Sequence, residues 1–278
     1  MSGWRPDSEV SRLNRAAGTV EVSEPLATVV EEALAIHRAS EGAFDITVGP
    51  LLPLFGFGPG GDPKAPGPDE AALEAVRSLV GQHAVEVIRP EGEPPRVRKA
   101  EPGVALDLSA IAKGYAVDRI AEELRAAGHP EHLVEIGGEI RVAGEWTVGI
   151  EVPVPGPGRR VARSFRVSDL ALATSGGYRD FREAPAAPGA TPRLLTHILD
   201  PRLGRPVERP RGSVTVLAPT ALEADAWATA LFVLGPDAGL ALADRLDLAA
   251  LFLTVVEGGG TSTRFTDGFL SLAGGAVE

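Results

Sequence analysis

The sequence predicts an α+β fold. Segments with helical periodicity and segments with strand-like alternation occur in clusters instead of alternating one by one. Such clustering favours α+β over a doubly wound parallel sheet. The chain has 278 residues, of which 44% are hydrophobic, and this is enough for one large domain or for two lobes.

The first third of the chain predicts two helices, a long loop and two strands. A helix is expected over 24–40, because Ser23 is a good N-cap and Gly42 follows the helix end. The segment 55–68 is rich in glycine and proline, which is typical of a loop. The other elements expected here are a helix at 69–80 and strands at 84–88 and 96–106.

The rest of the chain predicts short strands and three further helices. A helix over 109–127 ends at Gly128. The strands that follow it lie at 132–136, 139–143, 146–152, 162–168 and 171–174. After these come a Pro- and Ala-rich loop at 183–192, strands near 194–198 and 212–218, helices at 221–234 and 237–246, a strand at 249–256 and a final pair of strands.

Composition excludes several classes of function. The formal charge of −11 argues against nucleic acid and anionic membranes as general partners. The absence of cysteine excludes disulfides, thiolate zinc sites and a cysteine nucleophile. The longest strongly apolar stretch, 248–256, is much shorter than a membrane span, and no signal peptide precedes the first polar residues. The expected location of the chain as given is therefore the cytoplasm.

The helix predicted at 221–234 carries a candidate metal site. Thr220 and Glu223 have the spacing of a capping box, so the helix begins there and places Asp225 and Thr229 one turn apart on one face. A carboxylate and a hydroxyl in apolar surroundings suit a hard cation such as Mg²⁺. The alternative is an ordinary amphipathic helix whose carboxylate merely has a hydroxyl neighbour.

A strand-to-helix junction is predicted within 107–118. Backbone N–H groups at such a junction can bind phosphate, and Lys113 adds a positive charge. The segment has neither the Walker A spacing nor the GxGxxG spacing. The alternative is that Ser109 caps the helix while Asp107 and Lys113 are solvated.

Two glycine-containing segments are candidates for contact with a ligand. The pair Gly137-Gly138 lets backbone approach a flat ligand closely, although the same pair is also typical of a hairpin turn. The segment Thr174-Ser175-Gly176-Gly177 places hydroxyl groups before paired glycines. It can form either a phosphate-binding nest or a tight turn.

His197 is the histidine with the most informative surroundings. It ends an apolar run, and Asp200-Pro201 begin a turn just after it. A histidine in this position can donate to a phosphate or shuttle a proton, although a lone histidine is often structural. Three other histidines are interpreted as structural or surface residues: His37, His83 and His132.

Seven short motifs occur in order along nearly the whole chain. They are Ser8–Asn14, Gly42–Leu51, Asp107–Asp118, Gly137–Ile140, Thr174–Gly176, His197–Pro201 and Ala224–Gly235. This ordered set resembles the FAD:protein FMN transferase family, known as ApbE. The resemblance implies one ApbE-like domain over residues 1–278, with mixed or antiparallel sheets flanked by helices and an FAD cleft between two lobes.

The resemblance implies an activity and a metal site. Members of the family use Mg²⁺ to transfer FMN from FAD to a Thr or Ser hydroxyl of a target protein and release AMP. By this resemblance Asp225 and Thr229 are metal ligands, and the backbone carbonyl of Ala110 is a third. Asp225 and His197 are the catalytic candidates, and which of the two accepts the hydroxyl proton stays open.

The resemblance also assigns residues to the binding of FAD. They are Asp45, Lys113, Gly114, Tyr115, Asp118, Gly137, Gly138, Thr174, Ser175, Gly176 and His197. Two residues depart from the family pattern: Ser109 stands where glycine is frequent, and Ile46 replaces the more usual proline or valine.

Two other functions would use the same residues. One is an FAD pyrophosphatase that yields FMN and AMP without an acceptor protein, and the other is a non-catalytic FAD-binding protein.

The expected partners are FAD and an acceptor protein, and the chain is expected to be a monomer or a homodimer. Whether Mn²⁺ can replace Mg²⁺ stays open. Family members have a strand and a helix before the Ser8 motif, so we expect Met1 to be an internal methionine and the true chain to begin earlier. Whether a signal or lipid-attachment segment has been lost with that part stays open.

Overall fold

The computed structural model describes residues 1–154, 160–183, 194–208, 212–256 and 260–273. The chain divides into two compact units, the first formed by residues 1–110 and 182–208 and the second by 111–181 and 209–278. Each unit contains helices and antiparallel strand pairs, which confirms the α+β prediction.

The described residues form six α-helices and fifteen short strands. The helices are α1 (Glu9–Arg15), α2 (Glu24–Ala39), α3 (Glu70–Arg77), α4 (Ala112–Ala126), α5 (Ala221–Arg245) and α6 (Asp267–Leu272). The strands are β1 (Thr19–Glu21), β2 (Val85–Ile88), β3 (Arg96–Lys99), β4 (His132–Ile136), β5 (Glu139–Ala143), β6 (Glu145–Glu151), β7 (Val161–Ser168), β8 (Ala171–Gly176), β9 (Phe181–Glu183), β10 (Leu194–Thr196), β11 (Leu199–Asp200), β12 (Arg205–Pro206), β13 (Gly212–Ala218), β14 (Ala249–Val255) and β15 (Thr261–Phe265).

The first unit contains a small antiparallel sheet with strand order β1-β3-β2. Two short 3-10 helices, Ile46–Val48 and Leu52–Phe55, follow α2. A separate apolar cluster in this unit includes Phe55, Leu73 and Leu195. Its residues come from distant parts of the chain, so the segment after residue 194 packs against the segment before residue 80.

The second unit is built on a six-stranded antiparallel sheet with strand order β15-β14-β13-β8-β5-β4. Alternate residues of β8 face different clusters, as strand geometry requires. Ala171 packs with Val117 of α4, whereas Leu172 packs with Phe165 of β7. Helices α4 and α5 therefore cover one face of the sheet, and the β6–β7 hairpin covers the other.

Helix α5 contains a break that the sequence predicts. Gly235 has φ 78° and ψ 177°, and Pro236 begins the second helical segment. The two predicted helices at 221–234 and 237–246 are therefore confirmed as the two parts of α5.

In the described part of the chain, α5 is the one helix long and apolar enough to match a membrane span by length and composition, and 61% of the matching window is buried inside the protein.

Several predicted boundaries are wrong. The predicted final strand pair is β15 followed by the helix α6. The strand expected over 96–106 ends at Lys99, and the helix expected from residue 109 begins at Ala112. Helix α1 and strand β1 had not been predicted. The loop expected at 183–192 lies outside the described residues except for Glu183, which ends β9.

Candidate functional site

Asp225 is a buried carboxylate near the start of α5. Thr220 caps this helix by accepting a hydrogen bond from the backbone N–H of Glu223, as the capping-box spacing predicts. Only 2% of Asp225 is exposed. Its Oδ2 accepts a hydrogen bond of 3.1 Å from the backbone N–H of Gly114, and the Lys113 Nζ lies 3.4 Å from each of its two oxygens. The helix is buried on most sides, and the choice between a metal site and a carboxylate that merely has a hydroxyl neighbour stays open.

Lys113 contacts a second buried carboxylate. Its Nζ lies 3.0 Å from Oε1 of Glu139, a residue that is only 4% exposed. The alternative in which Lys113 is solvated is therefore wrong, although 40% of its side chain is exposed. One ammonium thus bridges two buried carboxylates, one from α5 and one from β5.

Burial and neighbouring charges change the acid–base properties of this cluster. Burial, helped by the nearby charge of Glu139, raises the pKa of Asp225 to about 7, although Lys113 and the Gly114 N–H oppose the rise. Burial alone would lower the pKa of Lys113, but Asp225 and Glu139 outweigh that effect and raise it. Lys113 therefore stays charged at neutral pH. A cation at Asp225 would favour the ionised carboxylate by displacing its proton.

Thr229 lies one helical turn after Asp225 and faces the sheet. Its Oγ1 is 2.9 Å from Oγ of Ser175 on β8. On the same strand, Oγ1 of Thr174 is 2.8 Å from Oγ1 of Thr215 on β13. Strand β8 continues through Gly176 and a bend follows at 177–180, so strand geometry holds these hydroxyls. The predicted FAD contacts of Thr174, Ser175 and Gly176 stay predictions.

Gly114 permits close contact between α4 and α5. A Cβ atom at this position would lie 2.2 Å from the carbonyl oxygen of Ala221. Any side chain would push apart the two helices that present Lys113 and Asp225. The requirement for glycine here is therefore explained by helix packing, and its assignment to FAD binding stays a prediction.

Asp118 joins α4 to the start of α5. Its carboxylate accepts hydrogen bonds from the backbone N–H groups of Ala221 (2.8 Å) and Leu222 (2.9 Å), and it pairs with Arg141 at 2.9 Å. A carboxylate at a helix N-terminus satisfies otherwise unpaired donors and complements the helix dipole. The described contacts thus give Asp118 a role inside the protein, and its assignment to FAD binding stays a prediction.

The two glycines between β4 and β5 form a tight turn beside this cluster. Gly137 has φ 70° and Gly138 has φ 110°, values that favour glycine, and Glu135 accepts a hydrogen bond from the Gly138 N–H. The hairpin interpretation is confirmed. A Cβ on Gly137 would lie 3.5 Å from Cδ of Lys113, so the turn packs against the lysine side chain.

The turn before α4 differs from its prediction. Ser109 does not cap the helix; its backbone N–H and hydroxyl both donate to the carboxylate of Asp107. Ala110 lies in the turn immediately before α4, and Tyr115 is half-buried in the first turn of α4. The predicted metal contact of Ala110 and the predicted FAD contact of Tyr115 stay predictions.

Besides Ala110, two predicted site residues belong to the first unit, Asp45 and His197. His197 is half-buried between β10 and β11. Asp45 accepts hydrogen bonds from the backbone and hydroxyl of Thr47, and His37 Nδ1 lies 3.1 Å from its Oδ2. His37 is thus structural, as expected, whereas the predicted FAD contacts of Asp45 and His197 stay predictions.

The oxygen donors on α5 fit a hard cation. Among the described residues, no cluster of three or more His, Cys, Asp or Glu side chains could hold a metal ion by itself. Asp225 supplies a carboxylate and Thr229 a hydroxyl, and Mg²⁺ binds by such oxygen ligands while keeping several of its waters. Glu139 is the residue of this cluster that had not been predicted. Its sequence signals were a place at the start of a strand beside a Gly-Gly turn and membership of the Gly137–Ile140 motif.

Comparison with known proteins gives consistent matches over almost the full chain. Residues 1–252 match the model of the ApbE family. The FAD:protein FMN transferase of Haemophilus influenzae is 36% identical over 282 residues, which span 98% of this chain and 79% of that protein. The protein of the same name from Escherichia coli K12 is 35% identical over 262 residues, or 91% of this chain and 72% of the relative. The crystal structure of the Pseudomonas stutzeri flavinyl transferase ApbE, apo form, gives a TM-score of 0.83 at 36% identity and covers 99% of this chain and 84% of that one.

Proposed function

The chain belongs to the ApbE family, and we propose that it uses Mg²⁺ to transfer FMN from FAD to a Thr or Ser hydroxyl of an acceptor protein, with release of AMP. The observation that carries this proposal is the buried Asp225 carboxylate, held by Lys113 and Gly114 one turn before Thr229. A buried acid beside an ammonium and a hydroxyl is an arrangement that recruits a hard cation and an anionic ligand.

The proposed reaction breaks the phosphoanhydride bond of FAD and forms a phosphoester with the acceptor hydroxyl. The acceptor hydroxyl oxygen attacks the phosphorus of the FMN half, the P–O bond to the bridging oxygen breaks, and AMP leaves with that oxygen. The hydroxyl proton passes to a protein base. When bound, Mg²⁺ neutralises diphosphate charge and orients the phosphoryl group. The residues proposed to hold it are Asp225, Thr229 and the carbonyl of Ala110.

The proposed contributions of the protein are orientation and charge. Lys113 stays protonated and offers a positive charge to a diphosphate. Asp225 and His197 are the candidates for the base. A carboxylate that ligates a cation has fewer free lone pairs with which to accept a proton. Two substitutions separate metal binding from base catalysis. Asp225→Asn should lose both metal binding and transfer, whereas His197→Gln should keep metal binding and lose transfer if His197 is the base.

The decisive experiment incubates the protein with FAD, Mg²⁺ and an acceptor protein that carries candidate Thr and Ser residues. We expect a flavin-fluorescent acceptor band after denaturing electrophoresis and an equal amount of AMP. EDTA and Asp225→Asn should both abolish the band. Release of FMN and AMP without a band would favour the FAD pyrophosphatase, and intact FAD after incubation would favour a non-catalytic FAD-binding protein.

A further inference from the structure

The Lys113 ammonium lies closer to Glu139 than to Asp225. Its Nζ is 3.0 Å from Oε1 of Glu139 and 3.4 Å from each oxygen of Asp225. An ammonium has three hydrogens to donate, so it can bridge both acids. The shorter contact is made with the acid that has no predicted role in metal binding.

Glu139 has one carboxylate oxygen without a partner. Its Oε2 is buried and accepts no hydrogen bond from the described part of the chain. Buried carboxylate oxygens almost always have a partner, so an exception at a functional cluster calls for an explanation. The Gly137-Gly138 turn covers this oxygen, because a Cβ on Gly137 would lie 3.3 Å from Oε2. The other oxygen of the same carboxylate, Oε1, pairs with the Lys113 ammonium.

We propose that Glu139 is a positioning residue that draws the Lys113 ammonium away from Asp225 when a divalent cation binds there. The inference rests on the proposed function only in taking Asp225 as a metal ligand. An ammonium and a metal ion compete for the same carboxylate oxygens, and two cations at one carboxylate repel each other. When Lys113 moves, Oε2 of Glu139 receives the hydrogen bond that it lacks.

The charges of the cluster support such an exchange. With all three groups ionised, Lys113, Glu139 and Asp225 together carry one net negative charge, which attracts a divalent cation. The bound cation then gives the cluster one net positive charge, which suits a diphosphate. Without Glu139, Asp225 would be the one carboxylate of the trio left to pair with the ammonium. A metal at Asp225 would then have to break that pair without a second carboxylate of the trio to receive the ammonium.

Mn²⁺ titration monitored by electron paramagnetic resonance tests this inference on the full chain without turnover. Glu139→Gln keeps the shape of the side chain and should weaken Mn²⁺ binding about tenfold, the usual effect of removing a residue that supports a metal ligand. Lys113→Met removes the competing cation and should bind Mn²⁺ at least as tightly as the wild type. In the Lys113→Met background, Glu139→Gln should change the affinity by less than about twofold, because the partner through which it acts is gone.

Glu135→Gln is the matched control. Glu135 lies on the same hairpin, is exposed, and accepts a hydrogen bond from Gly138 and not from Lys113. Glu135→Gln removes the same formal charge at the same turn as Glu139→Gln, but it does not remove a partner of Lys113. It should therefore leave Mn²⁺ affinity unchanged. Glu139→Asp keeps the charge with a shorter reach and should give an affinity between those of the wild type and Glu139→Gln, which tests the same point in a second variant.

Three results would overturn the inference. Glu139→Gln with wild-type affinity would show that Glu139 does not assist metal binding, and a tenfold loss that persists without Lys113 would show that Glu139 attracts the metal by itself. A wild type that binds no Mn²⁺ would refute the metal site as well. By contrast, the expected coupling in a protein that fails to flavinylate any acceptor would support the inference and contradict the proposed function.

Discussion

Gly114 and Ala221 bring α4 and α5 together backbone to backbone, since a Cβ on Gly114 would lie only 2.2 Å from the Ala221 carbonyl oxygen. The same contact places the Gly114 N–H on Asp225 at 3.1 Å and the neighbouring Lys113 ammonium beside it. The position of the carboxylate in the candidate metal site therefore depends on a glycine in the facing helix.

Gly114→Ala should lower the free energy of unfolding by roughly 1–3 kcal/mol, because the added methyl group overlaps backbone atoms that cannot move independently. It should also weaken Mn²⁺ binding by displacing Asp225. Gly268→Ala is a suitable control, since Gly268 is also helical and its Cβ would meet no atom closer than 3.7 Å. We expect the control to stay within about 1 kcal/mol of the wild type. Urea unfolding measures both, and equal stabilities would contradict the packing argument.

Asp118→Asn should destabilise the protein, and its effect on FAD affinity tests whether Asp118 also contacts FAD. The carboxylate bonds two N–H groups at the start of α5 and Arg141, and replacing it with an amide removes the charge and one acceptor. The expected loss is roughly 2 kcal/mol, typical of hydrogen bonds to a charged group. Quenching of FAD fluorescence in the presence of EDTA gives the affinity without metal.

Asp267→Asn serves as the control for Asp118, because Asp267 is an exposed aspartate in the first turn of α6. Such a residue contributes about 0.3–1 kcal/mol through the helix dipole. If Asp118→Asn instead kept its stability and lost FAD affinity, the predicted role of Asp118 in FAD binding would be supported over the structural one.

The sequence predicted the local features of the site better than the contacts that organise it. The capping box at Thr220, the helix break at Gly235 and the hairpin at Gly137-Gly138 follow from rules that act within a few residues, and the structure has all three. The bonds of Asp118 to Ala221 and of Gly114 to Asp225 span more than 100 residues. No periodicity or spacing encodes such contacts.

The errors at element ends have a similar origin. Ser109 looks like a helix cap, yet its hydroxyl and N–H are taken by Asp107 two residues earlier, so the helix begins at Ala112. Local side-chain bonds of this kind compete with capping and are difficult to rank from sequence. Glu139 was overlooked because its burial against Lys113 depends on the packing of β5 on α4.

The contact between His37 and Asp45 should make stability depend on pH. The hydrogen bond that the His37 imidazole donates to the Asp45 carboxylate raises the pKa of His37. It outweighs burial and the nearby Arg38, which lower that pKa. A raised folded-state pKa stabilises the protein fully below the unfolded value near 6.5, and this contribution is lost as the pH rises through the folded-state value.

His37→Gln should therefore be more destabilising at about pH 6 than at about pH 8.5. Asp45→Asn removes the carboxylate that holds the imidazolium and should flatten the same pH dependence. Urea unfolding of the wild type and both variants at the two pH values provides the comparison. A difference between wild type and His37→Gln that is constant across this range would show that the ion pair makes no pH-dependent contribution.

Thr229→Val should separate the two roles available to the Thr229 hydroxyl. The hydroxyl lies 2.9 Å from Ser175, and its loss should cost about 1 kcal/mol of stability, as for a typical hydrogen bond. If Thr229 is also a metal ligand, the change should weaken Mn²⁺ binding by about tenfold or more, because hard cations depend on their oxygen ligands. Thr229→Ser keeps the oxygen and should retain most of the affinity.

Thr215→Val is the matched control for the hydroxyl, since Oγ1 of Thr215 lies 2.8 Å from Oγ1 of Thr174 in the same unit. It removes one member of a similar hydroxyl pair at a position with no proposed metal contact. Both valine variants should therefore lose comparable stability, whereas Mn²⁺ affinity should fall only for Thr229→Val. Equal Mn²⁺ affinities in the two variants would mean that the Thr229 hydroxyl serves to hold α5 against β8 and does not ligate the metal.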